Sequence, residues 1–158
     1  MAKENKTNAM RLLEKAGIPF TVITYEVDET DLSGVHVAAV TGVPAEQVFK
    51  TLVARGDKTG YMVACIPVAD ELNLKALATV SGNKKVEMIA VKELLPLTGY
   101  MRGGCSPIGM KKSFPTYIDE TAILHDRIAI SAGIRGAQLM IAPEDLVKYI
   151  GAQYENIV

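Results

Sequence analysis

The chain has 158 residues, 49% hydrophobic and 22% charged, which is enough for a real core in one domain and excludes a disordered or fibrous protein. No apolar run approaches the roughly 18 residues that a membrane helix needs, and the polar start MAKENKTNAM lacks the apolar segment of a signal peptide. A net charge of −1 excludes a protein that coats nucleic acid through phosphate contacts alone, so any such contact must be local.

In chain order, residues 5–16 predict an amphipathic helix with Met10, Leu12, Leu13 and Ala16 on its apolar stripe and Gly17 as its stop. The run PFTVITYEV (19–27) is rich in β-branched and aromatic residues and predicts a strand, followed by an acidic loop, DETDLSG (28–34). A short helix, VHVAAVT (35–41), closes at Gly42, and PAEQ (44–47) adds a helical turn. VFKTLVAR (48–55) and YMVACIPV (61–68) predict strands joined by the hairpin turn GDKTG (56–60); the second is apolar nearly throughout and so buried on both faces. LNLKALATVSG (72–82) predicts a helix ending at glycine. NKKVEMI (83–89) follows, then a short helix, VKELLPLTG (91–99), that Pro96 cuts off. FPTYIDE (114–120), RIAISAG (127–133) and AQLMIA (137–142) predict strands. PEDLVKYIGA (143–152) predicts a helix with proline at its start and two acids in its first turn. Short helices alternating with strands, at least two pairs of them tightly joined, predict an α+β fold with a mixed or largely antiparallel sheet.

The chemistry concentrates in GYMRGGCSPIGMKKSFPTYID (99–119). Gly103-Gly104 followed by Pro107 cannot be helix, because glycine is too free and proline removes a donor. Gly103 and Gly104 let a ligand approach the backbone, and their N–H groups can point at an oxygen. Arg102, Lys111 and Lys112 lie nearby, and the combination suits an ester or a phosphate. ISAGIRG (130–136) is a second small-residue loop. It reads as a tight hairpin needing positive φ, or as a pocket wall with Ser131 as hydrogen-bond donor and Arg135 as anion contact. Lys50 shares a strand face with Val48 and Leu52, with Thr51 on the other. It reads as an edge lysine whose stem snorkels to water, or as a cation held in a cleft for a phosphate or ribose. Lys84-Lys85 and Lys111-Lys112 read as solvated surface or, together near Arg102, as a local basic patch.

Cys105 reads as a nucleophile or as a small filler. Neither histidine, His36 or His125, has a context that marks it as a base. Cys65, in an apolar run, and Cys105 fit neither a disulfide scaffold nor a zinc site, which predicts a reducing, cytoplasmic setting. With no HExxH, CxxC, GxGxxG or Walker signature, no metal and no cofactor are expected.

Four motifs in order, VFKTLV (48–53), the stretch 99–119, ISAGIRG (130–136) and PEDL (143–146), make the chain resemble the YbaK/EbsC family of aminoacyl-tRNA deacylases from about residue 8 to about residue 155. These are relatives of the editing domain inserted in bacterial prolyl-tRNA synthetases. The resemblance implies a single-domain editing fold with a barrel-like sheet flanked by short helices. It also implies a free-standing enzyme that removes cysteine from mischarged tRNA(Pro), and perhaps-related substrates such as Cys-tRNA(Cys), with prolyl-tRNA synthetase as a partner. By the same resemblance Lys50 holds the terminal nucleotide and Thr51 follows it. Gly103, with Gly104 and Pro107 in a GxxxP loop, contacts the terminal ribose or the ester. Tyr25, Ser131, Gly133 and Gln138 belong to the substrate pocket. Arg102, Lys111, Lys112 and Arg135 are then rim contacts to tRNA phosphates. The family's pocket can carry phenylalanine where this chain has DLSG (31–34), and an acid where it has Gln138. The competing expectations are a deacylase for alanine or another small residue, a tRNA- or synthetase-binding module without turnover, and a small-molecule enzyme that holds a nucleotide phosphate.

Overall fold

The computed structural model describes residues 6–158; Asn5, the expected first residue of the N-terminal helix, and the polar residues before it lie outside this range. Helix α1 (Asn8–Ala16) starts where the Thr7 hydroxyl accepts the Met10 N–H, and it buries Ala9, Met10 and Leu13. Strand β1 (Thr21–Thr24) is shorter than its β-rich sequence predicts. Its partner starts only at Ala137, and Tyr25 N–H makes the last bond, to Gly136 O at 2.9 Å, so residues beyond have no ladder to join.

Helix α2 (Gly34–Thr41), capped by Ser33, leads through a 3-10 turn (Ala45–Gln47) into the hairpin of β2 (Phe49–Gly56) and β3 (Gly60–Pro67). Then come α3 (Leu74–Ser81), β4 (Val86–Met88), α4 (Val91–Thr98) and β5 (Thr116–Asp119). The chain ends with β6 (Ile128–Ser131), β7 (Ala137–Ile141), α5 (Pro143–Ile150) and β8 (Gln153–Glu155). Pro96 does not cut α4 off. Sitting in the last turn, it removes only its own donor, and the helix closes around it through Thr98 Oγ1 to Leu94 O (2.7 Å) and Gly99 N–H to Leu95 O (2.9 Å). Two elements carry no strong local pattern and escape sequence reasoning: the 3-10 stretch Glu120–Leu124 and β8. Both hang on Asp119, fully buried, which accepts from Thr121 N–H and its hydroxyl and from Ile157 N–H (3.1 Å).

The strands form two sheets, β1-β7-β6 and β4-β2-β3-β5-β8. The first is antiparallel; in the second, β4-β2-β3 is antiparallel and β3-β5-β8 parallel, so the expected mixed α+β sheet is present. The expected barrel is not closed: among the described residues a lone parallel bridge, Val48 to Ala129, links the two sheets. One apolar cluster, including Leu13, Phe49, Ile118, Ile130 and Leu139, packs between α1, α5 and both sheets. A second, including Met62, Ile66 and Leu77, packs α3 on the far face of the large sheet. Residues of β3 belong to both clusters, which is why β3 is apolar on both faces.

The open edge of β2 positions everything that follows. Ile89 N–H bonds Val53 O at 3.3 Å, so odd-numbered residues of β2 turn their backbone groups towards β4. But β4 pairs only with Ala54–Gly56, and the edge at Thr51 faces open space.

The far end of the hairpin is fixed by Asn83. Its Oδ1 accepts Lys58 and Thr59 N–H (2.8 and 2.9 Å), and its Nδ2 donates to Thr59 Oγ1 and Ser81 Oγ (2.9 and 2.8 Å). Gly56 makes the room, since a Cβ there would overlap the Asn83 side chain. Replacing Asn83 by alanine is expected to cost about 2 kcal/mol, because the turn's N–H groups lose a common acceptor. The check is a lower urea midpoint at unchanged slope.

Candidate active site

A cavity of about 380 Å³ lies along the open edge of β2. Five segments line it: the start of β2, the loop and first turn of α2 (Leu32–Val37), the β4–α4 junction, the glycine loop, and the facing ends of β6 and β7. Because no strand covers this edge, Lys50 and Thr51 both line the cavity although alternation puts them on opposite faces of β2.

Lys50 is half-buried, and its ammonium donates to Val68 O at 3.4 Å. The ion pairs among the described residues join Lys6 to Glu14, His36 to Asp31, Lys85 to Glu87 and Arg135 to Glu29, and none involves Lys50. The cleft cation of the sequence reading is therefore present, and its countercharge is left to a ligand. Arg102, exposed, stands on the same wall.

Gly103 lines the cavity at φ 86°, a conformation only glycine adopts freely. No partner among the described residues takes its N–H, which leaves that donor for an oxygen in the cavity. Gly104 plays another part. Its N–H is spent on Met101 O at 2.9 Å, and a Cβ there would lie 3.0 Å from the Ile134 carbonyl carbon and 3.1 Å from Arg135 N. It is glycine so that the loop can press its backbone against the β6–β7 hairpin. Pro107 is buried and lines a separate cleft beside Leu12 and Lys112, so it shapes the loop from behind.

The floor is polar but neutral. Ser131 and Gln138, paired across β6 and β7, are 9% and 6% exposed. Ser131 Oγ accepts Gly133 N–H at 3.1 Å, and Gln138 Oε1 is buried with no hydrogen-bond partner. Cys105, also in the wall, is no nucleophile: burial pushes its thiol up to about 12. Burial does the same to Cys65, whose sulfur lies 3.8 Å from Thr51 Oγ1. No aspartate, glutamate or histidine lines the cavity among the described residues. No group of three or more His, Cys, Asp or Glu among them is placed to hold a metal ion.

Other sequence candidates lie outside the cavity wall. Tyr25 binds Gly136 through its backbone. Gly133 lets Tyr100 pass, since a Cβ would lie 3.0 Å from Tyr100 Cε1. Arg135 is a staple: its Nε donates to Arg102 O (2.9 Å), and its guanidinium pairs with Glu29 (3.1 Å), tying the acidic loop to both glycine loops. Lys111 packs on Gly99 and Lys112 edges the rear cleft, so neither joins Arg102 at the cavity. Sequence reasoning missed Tyr100, whose hydroxyl donates to Ile108 O and props the glycine loop. It also left unassigned the wall of Leu32, Ser33, Gly34 and Val35. The only local signals were a Ser-Gly helix start and a tyrosine beside a glycine.

Two outcomes follow from this geometry. Gly104→Ala is expected to lose about 1–3 kcal/mol of stability, because two backbones must separate; a thermal melt measures it. Both thiols are expected to resist iodoacetamide at pH 8 in the folded protein and to react once guanidinium unfolds it. Their folded values, raised from 9.0 to about 12, favour the neutral form. The stability they contribute is thus complete below about pH 9 and lost as pH climbs towards 12.

Comparison with known proteins gives this cavity a context. Residues 31–149 match the aminoacyl-tRNA editing domain family. The chain is 49% identical over 154 residues to EbsC of Enterococcus faecalis (strain ATCC 700802 / V583), provisionally named a Cys-tRNA(Pro)/Cys-tRNA(Cys) deacylase. The match covers 98% of this chain and 94% of that one. Over 109 residues it is 30% identical to the proline–tRNA ligase of Thermosipho africanus (strain TCF52B), covering 69% of this chain and 18% of the ligase. The fold superposes, with a TM-score of 0.82 and 23% identity over 98% of both chains, on a crystal structure provisionally described as a trans-editing enzyme for prolyl tRNA synthetase. No helix among the described residues is long and apolar enough to cross a membrane. With the match spanning the α2 wall, the Lys50 strand, the glycine loop and the Ser131–Gln138 floor, the chain belongs to the aminoacyl-tRNA editing domain family.

Proposed function

We propose that this chain is a cytoplasmic trans-editing deacylase that removes cysteine from mischarged Cys-tRNA(Pro). The observation that carries the reading is the cavity wall itself: two cations, a free glycine N–H, hydroxyls and an amide, with no carboxylate or imidazole among the described residues lining it. Ester cleavage normally takes a nucleophile activated by a base, and the one thiol in the wall is held protonated. A cysteinyl ester brings its own nucleophile. The substrate sulfur attacks the carbonyl carbon of its ester as the C–O bond to the ribose breaks. The thiol proton passes to the departing ribose oxygen. The cyclic thiolactone then opens in water to free cysteine.

The protein's part is to position and to stabilise charge. Lys50 holds the terminal nucleotide, with Thr51 beside it. Gly103 N–H meets the oxygen on which charge develops, and Arg102 takes a tRNA phosphate. The name carried by the 49% identical relative supports this substrate. A net charge of −1 leaves little attraction for the body of a tRNA. We therefore assign tRNA selection to a partner, prolyl-tRNA synthetase, whose kinship with this chain runs through the shared editing domain.

The test is single-turnover cleavage of a panel of misacylated tRNAs, with and without the synthetase. Lys50→Ala is expected to slow Cys-tRNA(Pro) cleavage by about 100-fold, the loss typical of one charge-stabilising donor, while Cys105→Ala keeps most of it. Seryl ester, with oxygen in place of sulfur, is expected to survive. Full activity in Lys50→Ala, or a dead Cys105→Ala, overturns the assignment. Faster cleavage of Ala-tRNA(Pro) makes the chain an alanine deacylase, and tRNA binding without cleavage makes it a binding module.

A further inference from the structure

Gln138 Oε1 is the one buried acceptor of the cavity wall that the described residues leave without a donor. Its residue is 6% exposed, so water does not replace the missing partner freely. A buried amide oxygen left this way loses its hydration for nothing, unless a ligand completes it. Directly across the β6–β7 pair stands Ser131, whose Oγ takes one N–H from Gly133 and keeps a second lone pair. Cross-strand neighbours hold their Cβ atoms about 5 Å apart, a spacing that lets two acceptors converge on one donor group.

On the deacylase reading, on which this inference rests, the ribose side of the ester lies against Lys50 and Arg102, the half-buried and exposed cations of the wall. The aminoacyl side then points to the buried floor. Among its donors a thiol is weak, and it is turned towards its own carbonyl. The α-amino group is the strong donor and offers at least two N–H bonds in either protonation state. We propose that Gln138 Oε1, with Ser131 Oγ, reads the free α-amino group of the substrate, and that the site thereby rejects esters whose α-nitrogen is acylated. An N-acyl group removes donors and adds bulk at the most enclosed part of the cavity. A site built to hydrogen-bond a substrate group discriminates strongly against an analogue that lacks it. Peptidyl esters of tRNA, which are N-acylated, are then spared.

The experiment measures binding by calorimetry, without turnover. The probes are 3′-deoxy-3′-(L-cysteinylamino)adenosine, an amide in place of the ester, and its N-acetyl form. The wild-type chain is expected to prefer the free amine by about 10-fold or more. Gln138→Leu is expected to lose the preference without losing stability, since leucine removes an unpartnered buried acceptor. Gln138→Glu, which keeps an oxygen there, retains the preference. Equal binding of the two probes by the wild type, an unchanged preference in Gln138→Leu, or no binding of either probe overturns the proposal. If the preference holds while no Cys-tRNA(Pro) is cleaved, the deacylase reading falls and the role of Gln138 stands.

Discussion

The first half of β2 has a strand neighbour on one edge only, and the active-site cavity exists because of it. β3 pairs along the whole of β2, but β4 pairs with its last three residues alone. Had β4 continued, the sheet would have covered Thr51 and left Lys50 as an ordinary lysine on one face. Instead the strand ends its pairing where the chain turns into α4, and both faces of β2 border the same space. An open edge is normally a hazard that proteins cover or charge. Here α2, α4 and the glycine loop stand around it, and a lysine sits within it. The device that blunts an edge and the device that holds a ligand's negative charge are one residue.

A cavity formed this way is only as definite as the loops that wall it, and those loops have little secondary structure of their own. What fixes them is close backbone contact and one staple. Gly104 lets the loop press on the Ile134–Arg135 backbone, Tyr100 props it from beneath through Ile108 O, and Arg135 binds Arg102 O and Glu29. Arg135 thus spends its charge inside the protein. The two glycines side by side divide the labour: Gly103 keeps a free N–H towards the cavity, and Gly104 gives up its own to hold the loop shut.

Much of this was legible in the sequence, for reasons that can be named. Helix stops at Gly17, Gly42, Gly82 and Gly151, the GDKTG turn and the doubly apolar β3 are local signals, and each element appears where the signal stands. Lys50 was legible because a cation between apolar strand residues is anomalous. What the sequence left hidden is set by distant pairing. β8 forms only because Asp119 takes the Ile157 N–H from 38 residues away. The barrel stays open because β4 is short, a fact no residue of β2 announces. Lys111 and Lys112 sit close to Arg102 along the chain, but the turn of the glycine loop carries them to another face.

The neutral floor and the missing base belong to one logic. A cavity that supplied its own nucleophile would cleave any small aminoacyl ester that entered, and binding alone separates substrates differing by a methylene by only about 10–200-fold. Correctly charged tRNAs are far more abundant targets than mischarged ones, so such a site would do net harm. Withholding the nucleophile moves selection from fit to chemistry, because only a substrate that carries a thiol completes the reaction. Burial of Cys105 serves the same end, since a reactive thiolate in that wall would restore the indiscriminate enzyme. The protein keeps what every ester needs, a cation and a backbone N–H, and leaves out what would make every ester react.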